Sequence, residues 1–392
     1  MSAFAGRRLW FVGIGGAGMS AYAQLARAWG AEIGGWDRVR TPYLEPLEDA
    51  RIELAPEPVV PEGWEAVVSS AYPDVAGMPR RDFLRELVAA RPSIVVAGTH
   101  GKGTTAAMIA FALRETGRDP AWSIGAPVPQ LGSNAGFGSG LLVVEGDESD
   151  GTVFTLPAQV AVVTNLELDR HSEHDVASLA DLEAAFERWL ASVPTVVRDA
   201  PAYEGALALP GAHNRRNAGA ALAALETAGV PRGEAEEALA RFAGTGRRFE
   251  RHAVRLAGVG EVTMIDDYAH HPSEIAATIA TAREVFPGAT LRVLFQPHLF
   301  SRTRLLAREL ASALAAADDV AVTDVYPARE RSVPGVTGKL VVDALSDLGS
   351  LPAWTPSVEQ GAARLGARAR GGDVLLVLGA GDVDRAVDLL AG

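Results

Sequence analysis

Apolar runs of four to seven residues alternate with longer stretches patterned at helical spacing along almost the whole chain. A strand that is apolar on both faces must be covered on both faces, and a parallel sheet flanked by helices does this. The expected class is therefore α/β. The runs Leu9–Val12, Ile33–Trp36, Val67–Ser70, Ile94–Ala97, Leu141–Glu145, Val160–Thr164, Val262–Ile265, Leu291–Phe295, Val320–Thr323 and Val374–Leu378 read as strands. Met19–Trp29, Leu179–Leu190, Asn214–Ala228 and Gly233–Phe242 read as helices. A chain of 392 residues exceeds one ordinary core. Breaks near Pro92 and near Phe242 divide it into three expected domains, 1–92, 93–242 and 243–392.

The net charge of −13 leaves no basic excess to neutralise a nucleic acid or an anionic membrane. Small anionic ligands remain compatible, since a few backbone N–H groups and one lysine can hold a phosphate on an acidic protein. The absence of cysteine excludes disulfides and thiolate metal sites. The first apolar run is far too short to span a membrane and leads straight into a glycine turn. A first strand, no membrane insertion and a cytoplasmic location are expected.

Two turns have the form of phosphate cradles. "FVGIGGAGMS" sets Gly13, Gly15, Gly16 and Gly18 between a strand and a helix, with Asp37 at the end of the next strand. That pattern suits a pyrophosphate at a helix N-terminus, with the acid reading a ribose hydroxyl. A tight turn that needs glycine only for packing gives the same sequence. The second turn, "AGTHGKGTTA", runs through Gly98, Thr99, His100, Gly101, Lys102, Gly103, Thr104 and Thr105. It lacks the usual four-residue spacing between glycines, and Gly103 stands where a hydroxyl is common. Lys102 nonetheless sits at a strand–turn–helix junction, where an ammonium and N–H groups converge on phosphates.

Other polar clusters follow apolar strands. "VVEGDESDG" places Glu145, Asp147, Glu148 and Asp150 together, a hard-oxygen set suited to Mg²⁺, or else a solvated acidic loop. "TNLELDRHSEHD" offers Asp169, His171 and His174. Asn214 and Asn217 share a helix face and could either cap it or read a nucleotide. Arg247 and Arg248 follow a glycine turn, where an arginine can reach a phosphate or form a salt bridge. "IDDYAHHPSEI" brings Asp266, Asp267, His270 and His271, and "FQPHLFSRT" brings His298, Ser301 and Arg302, each after a strand. Ligands of open α/β sheets bind at such strand ends. A histidine–carboxylate zinc site is the alternative for the first.

The order "GIGGAGMS", "GTHGK", "EGDESD", "TNLELD", "HNRRNA", "GTGRRFE", "DDYAHHPSEI", "QPHLFSRT", "DVYPARE" and "GAGDV" resembles the Mur ligases of peptidoglycan synthesis, from about residue 9 to 384. The third-segment motifs are most similar to those of the alanine-adding members. The resemblance implies a three-domain architecture, Rossmann-like at both ends around a central P-loop-type ATPase domain. It implies an ATP-dependent ligase that activates the lactyl carboxylate of UDP-N-acetylmuramate as an acyl phosphate and joins it to L-alanine, as a monomer or homodimer. By the same resemblance Gly13, Gly15, Gly16, Gly18 and Asp37 hold the UDP-sugar. Residues 98–105, Asn214, Asn217 and Arg248 face ATP, and Thr104, Glu145 and His171 hold Mg²⁺. Lys102, Glu145, His171, Arg248, Asp267, His270, His298 and Arg302 make up the catalytic set.

Four features depart from the usual family pattern. Gly103 follows the lysine, although folate-polyglutamate ligases, which share the fold, are similar in reading "GKG" before Ser or Thr. Arg170 stands where a metal-site histidine is usual, Leu299 stands where an arginine is common, and the segment between Leu190 and His213 is short. A tripeptide-adding ligase of muropeptide recycling, a non-catalytic UDP-sugar binder and a nicotinamide dehydrogenase are the alternatives.

Overall fold

The computed structural model describes residues 3–168, 178–328 and 330–391. The chain divides into two compact units, one of Met1–Leu209 with Asn214–Thr245 and one of Pro210–His213 with Gly246–Gly392.

The first unit holds two sheets. One is formed by β1 (Arg8–Val12), β2 (Glu32–Asp37), β3 (Arg51–Leu54), β4 (Glu65–Val68) and β5 (Met78–Pro79), in the order β3-β2-β1-β4-β5 and all parallel. Leu9 and Phe11 of β1 pack in the cluster that includes Phe83, while Trp10 and Val12 face the opposite cluster with Trp36 and Val68. All four are fully buried, so both faces of the strand are covered. Helix α1 (Ala17–Ala28) follows β1, and α2 (Arg80–Ala89) follows β5. The chain reverses direction across the sheet between β1 and β4, and the turn after β1 opens at that switch point.

The second sheet contains β6 (Ser93–Ala97), β7 (Ala121–Ser123), β8 (Ala135–Phe137), β9 (Leu142–Glu145), β10 (Val160–Val163) and β11 (Thr195–Val197). Its order is β11-β10-β6-β9-β7-β8, with only β8 antiparallel. β6 is central and every residue of it is buried. Helix α3 (Lys102–Glu115) is buried continuously from Thr104 to Leu113, as a helix apolar on every side must be. Helices α4 (Leu179–Leu190), α5 (Ala212–Thr227, from Asn214 onward) and α6 (Arg232–Arg241) complete this part.

The second unit is built on β12 (Glu250–Leu256), β13 (Gly260–Asp267), β14 (Leu291–Phe295), β15 (Asp319–Val322), β16 (Ala353–Trp354) and β17 (Val374–Leu378), in the order β12-β13-β17-β14-β15-β16. Helices α7 (Pro272–Val285) and α8 (Phe300–Leu314) follow β13 and β14. The sequence reading missed β12, and the cause is physical. "ERHAVRL" is an edge strand with charges on its open side, so it carries no continuous apolar run. It pairs antiparallel with β13, Glu250 opposite Asp266. Among the described residues, no helix is long and apolar enough to cross a membrane.

Candidate active site

The first glycine turn is held from beneath by Asp37. One carboxylate oxygen accepts the Gly15 N–H at 2.7 Å and the other accepts the Arg38 N–H at 2.7 Å. The Thr41 hydroxyl donates to the Gly15 carbonyl at 2.7 Å. Asp37 is thus first a buttress of the turn, and any ribose contact has to use its remaining lone pairs. Gly16 is the N-cap of α1, which has no side-chain cap, and Gly18 lies in the first turn. The N–H groups of a first helical turn need partners. Ser178 and Ser357 supply one at the starts of other helices, and nothing equivalent stands here.

The lysine turn after β6 also ends in an uncapped helix, with Gly101 in the left-handed region at φ 80°. A side chain at Gly101 would run into the Asn217 amide, and one at Gly98 into Thr164 and Asn165, so both glycines are required by close approach. The loop after β10 fastens the turn. Thr99 N–H donates to the Asn165 carbonyl at 3.0 Å, and the Asn165 side chain accepts from His100 N–H at 2.9 Å. The Thr164 hydroxyl and Asn165 amide donate to the His100 carbonyl at 2.6 and 2.9 Å. The Thr99 hydroxyl bridges to the backbone of Glu167. Asn214 and Asn217 are both buried, with the Asn217 amide 3.5 Å from Asn214 Oδ1.

Lys102 Nζ donates to the carbonyls of Gly98 (2.7 Å) and Thr99 (3.1 Å) and pairs with Glu148 at 2.8 Å. Burial works to lower the lysine pKa, but Glu148 and Asp147 outweigh it and raise it above the ordinary value. Burial pushes Glu148 up to about 7 against the pull of Lys102. Asp147 is half-buried and partly desolvated, yet Lys102 and bonds from Ser149 hold it below the ordinary carboxylate value. Glu145 ends β9 and accepts the Gly125 N–H at 2.6 Å. A Cβ on Gly103 would stand 3.2 Å from its Oε2, so the glycine after the lysine is where the turn and Glu145 meet. Thr104 and Thr105 are buried in the first turn of α3.

In the second unit the strand ends gather the remaining residues. Asp267 is buried and accepts N–H bonds from Phe249 and Ala269, both at 2.9 Å. It thereby fixes the turn carrying Arg248, whose guanidinium lies 3.5 Å from Glu274 and 5.3 Å from the Tyr268 ring centroid. His270 stands 3.2 Å from Glu274 and 5.6 Å, ring to ring, from His298. His298 stacks on Tyr326, and its Nδ1 is 3.2 Å from an Arg302 nitrogen. Leu299, between them, has φ 70°, a strained conformation for a branched residue and one that concentrates at functional sites.

Comparison with known proteins settles the family. The segment 247–381 matches the Mur ligase glutamate ligase domain. The chain is 37% identical to the UDP-N-acetylmuramate–L-alanine ligase of Paenarthrobacter aurescens, covering 96% of this chain and 94% of that protein. It is 37% identical to that of Acidothermus cellulolyticus, covering 95% and 92%. The chain belongs to the Mur ligase family. Its fold is similar to the crystal structure of the UDP-N-acetylmuramate–alanine ligase from Thermotoga maritima, with a TM-score of 0.79, 27% identity and 97% of each chain covered.

Within this Mur ligase the structure brings Gly98–Thr105, Asn214, Asn217 and Glu145 to one turn. It separately brings Arg248, Asp267, His270, His298 and Arg302 to one edge of the last sheet. His171, expected at the metal site, lies outside the described residues, as does Arg170. Two supports were not foreseen. Glu148 as the partner of Lys102 is 46 residues away, and no local pattern links them. Glu274 accepts N–H bonds from His270 (3.1 Å) and His271 (3.2 Å), and its signal was available, since it is the third residue of a helix opened by Pro272.

Burial pushes His270 down to about 4, with Glu274 acting in the opposite sense. The folded protein then binds fewer protons than the unfolded chain between about pH 4 and 6.5, so this contribution is complete above 6.5 and is lost as pH falls towards 4. His270→Gln is expected to flatten the stability profile in that window, by on the order of 3 kcal/mol at most. Urea melts of both proteins at pH 4.5 and 7 check this, and parallel profiles would refute it.

Proposed function

We propose that this chain is an ATP-dependent UDP-N-acetylmuramate–L-alanine ligase. Amide formation from a carboxylate and an amine is uphill in water, so the lactyl carboxylate is first activated by the γ-phosphoryl group. L-alanine then attacks the acyl phosphate and phosphate leaves. Phosphoryl transfer of this kind calls for positioning and charge neutralisation more than for a protein nucleophile. The observation that carries the reading is the Lys102 turn, in which an uncapped helix N-terminus and a part-buried ammonium stand beside Glu145.

In this reading the N–H groups of residues 98–105 hold the phosphates, and Lys102 exchanges Glu148 for a phosphate oxygen. The high Glu148 pKa favours that exchange, because the displaced carboxyl can take up a proton near neutrality. Asn214 and Asn217 support the turn at the nucleotide. A hard divalent cation fits the donors present, the Glu145 carboxylate and Thr104 in the first turn of α3. When bound, Mg²⁺ would neutralise charge on the transferred group. The turn buttressed by Asp37 holds the UDP pyrophosphate. In the second unit Arg248 stabilises charge on the phosphoryl group, and His270, His298 and Arg302 orient the amino acid, with Arg302 suited to its carboxylate. A cytoplasmic location belongs to this reading, since its substrates are ATP and a nucleotide sugar.

The test is phosphate release with ATP, Mg²⁺ and UDP-N-acetylmuramate, with and without L-alanine. Release that requires the sugar and the amino acid together is expected. Release with a tripeptide but not with alanine would assign the recycling reaction. Sugar binding without any release would assign a non-catalytic binder.

A further inference from the structure

The β12–β13 hairpin carries a cluster that the proposed reaction does not use. Glu250 and His252 are two residues apart, so they share a face of β12, and Glu250 is paired in register with Asp266. One ligand-type atom from each of the three lies within 4.8 Å of the others. Asp266 is only 4% exposed. Its Oδ1 and the His252 Nε2 are both buried without a hydrogen-bond partner. Such atoms are rare in a folded protein and call for an explanation. Arg247 occupies only the other Asp266 oxygen, with Nε 3.3 Å from Oδ2.

We propose that Glu250, His252 and Asp266 form a binding site for a divalent transition-metal cation. One imidazole nitrogen with two carboxylates is a donor set suited to zinc, whereas magnesium and calcium prefer oxygen alone. Zinc bonds of about 2.0–2.2 Å need the three groups closer together than they stand. The Glu250 and His252 side chains are 40% and 30% exposed, so neither is locked in place by packing on all sides, and His252 Nε2 already stands 4.0 Å from Glu250 Oε1. Asp266 is the fixed member. The Arg247 N–H donates to Glu250 at 2.8 Å, so a bound ion would also stiffen the turn that presents Arg248. The site lies in a different compact unit from Glu145, which is why the two can be tested apart.

The experiment is calorimetric titration of Zn²⁺ into the nucleotide-free full chain, with Glu145→Gln as the control for the proposed magnesium position. One equivalent is expected to bind to the wild type and to Glu145→Gln alike. His252→Ala and Glu250→Gln should each weaken it by at least about tenfold, the smallest loss usual even for residues that only support a metal ligand. Both substituted side chains are partly exposed, so the variants are expected to fold, and circular dichroism confirms that they do. No zinc binding by the wild type, an unchanged isotherm in both hairpin variants, or loss of binding in Glu145→Gln alone would each overturn the proposal.

Discussion

Lys102→Ala is expected to reduce ligation by on the order of a thousandfold, the effect of removing a principal charge donor from a transition state. UDP-N-acetylmuramate affinity should be nearly unchanged, because the turn buttressed by Asp37 sits on a different sheet. The substitution also has a predictable structural cost. Lys102 is the ion-pair partner of Glu148, and its removal leaves a buried carboxyl without a counter-charge. Breaking such a pair costs about 3–5 kcal/mol when the charge must stay. Here the cost is smaller at low pH, because Glu148 already titrates near 7 and its pKa climbs further without the lysine. A carboxyl with a raised folded pKa loses stability as pH rises from its unfolded towards its folded value. Lys102→Ala should therefore be destabilised more at pH 8 than at pH 6, and Lys102→Ala with Glu148→Gln should recover the stability without recovering the activity. Phosphate release, calorimetry with the UDP-sugar and melts at the two pH values separate these effects. Equal loss of sugar binding and turnover would refute the division between the two turns.

Both strand–turn–helix junctions proposed to hold phosphates were legible in the sequence because each is contiguous, with its glycines and, in the second, its lysine inside twenty residues. The sheet class was legible for the same reason, since Ile94–Ala97 and Val374–Leu378 are apolar on both faces. What stayed hidden depends on contacts between distant positions. Asn217 packs against Gly101 across more than a hundred residues, and Asn165 ties down His100 from the neighbouring strand's loop. Asp37 looked like a ribose reader from its place at a strand end, yet the structure first uses it to hold Gly15. The strained backbone at Leu299 has no local signal, because leucine does not favour positive φ and only the surrounding packing imposes it. Edge strand β12 was missed because its exposed side is charged.

Asp267 shows how one such hidden support bears on the chemistry. Each of its oxygens accepts a backbone N–H, and the turn that it holds contains Arg247 and Phe249 at φ 54° and 51°. Neither is glycine, so the carboxylate stabilises a conformation that the chain would otherwise leave. An asparagine has a single acceptor oxygen, and its amide hydrogens would confront one of the two donors. Asp267→Asn should therefore lose about 1.5–3 kcal/mol for that charge-assisted bond and let the turn relax. If Arg248 acts on the phosphoryl group, a shift of about 1 Å in its position lowers kcat by on the order of a hundredfold. KM for the UDP-sugar should stay near its wild-type value, since Asp267 belongs to the other compact unit. Asp267 is thus a positioning residue, and a double-mutant cycle distinguishes this from a direct role. Acting through Arg248, Asp267→Asn adds little to Arg248→Ala, and the double variant is no slower than Arg248→Ala alone. Fully additive losses would mean that Asp267 contributes independently, and an unchanged kcat in Asp267→Asn would mean that the turn does not need it.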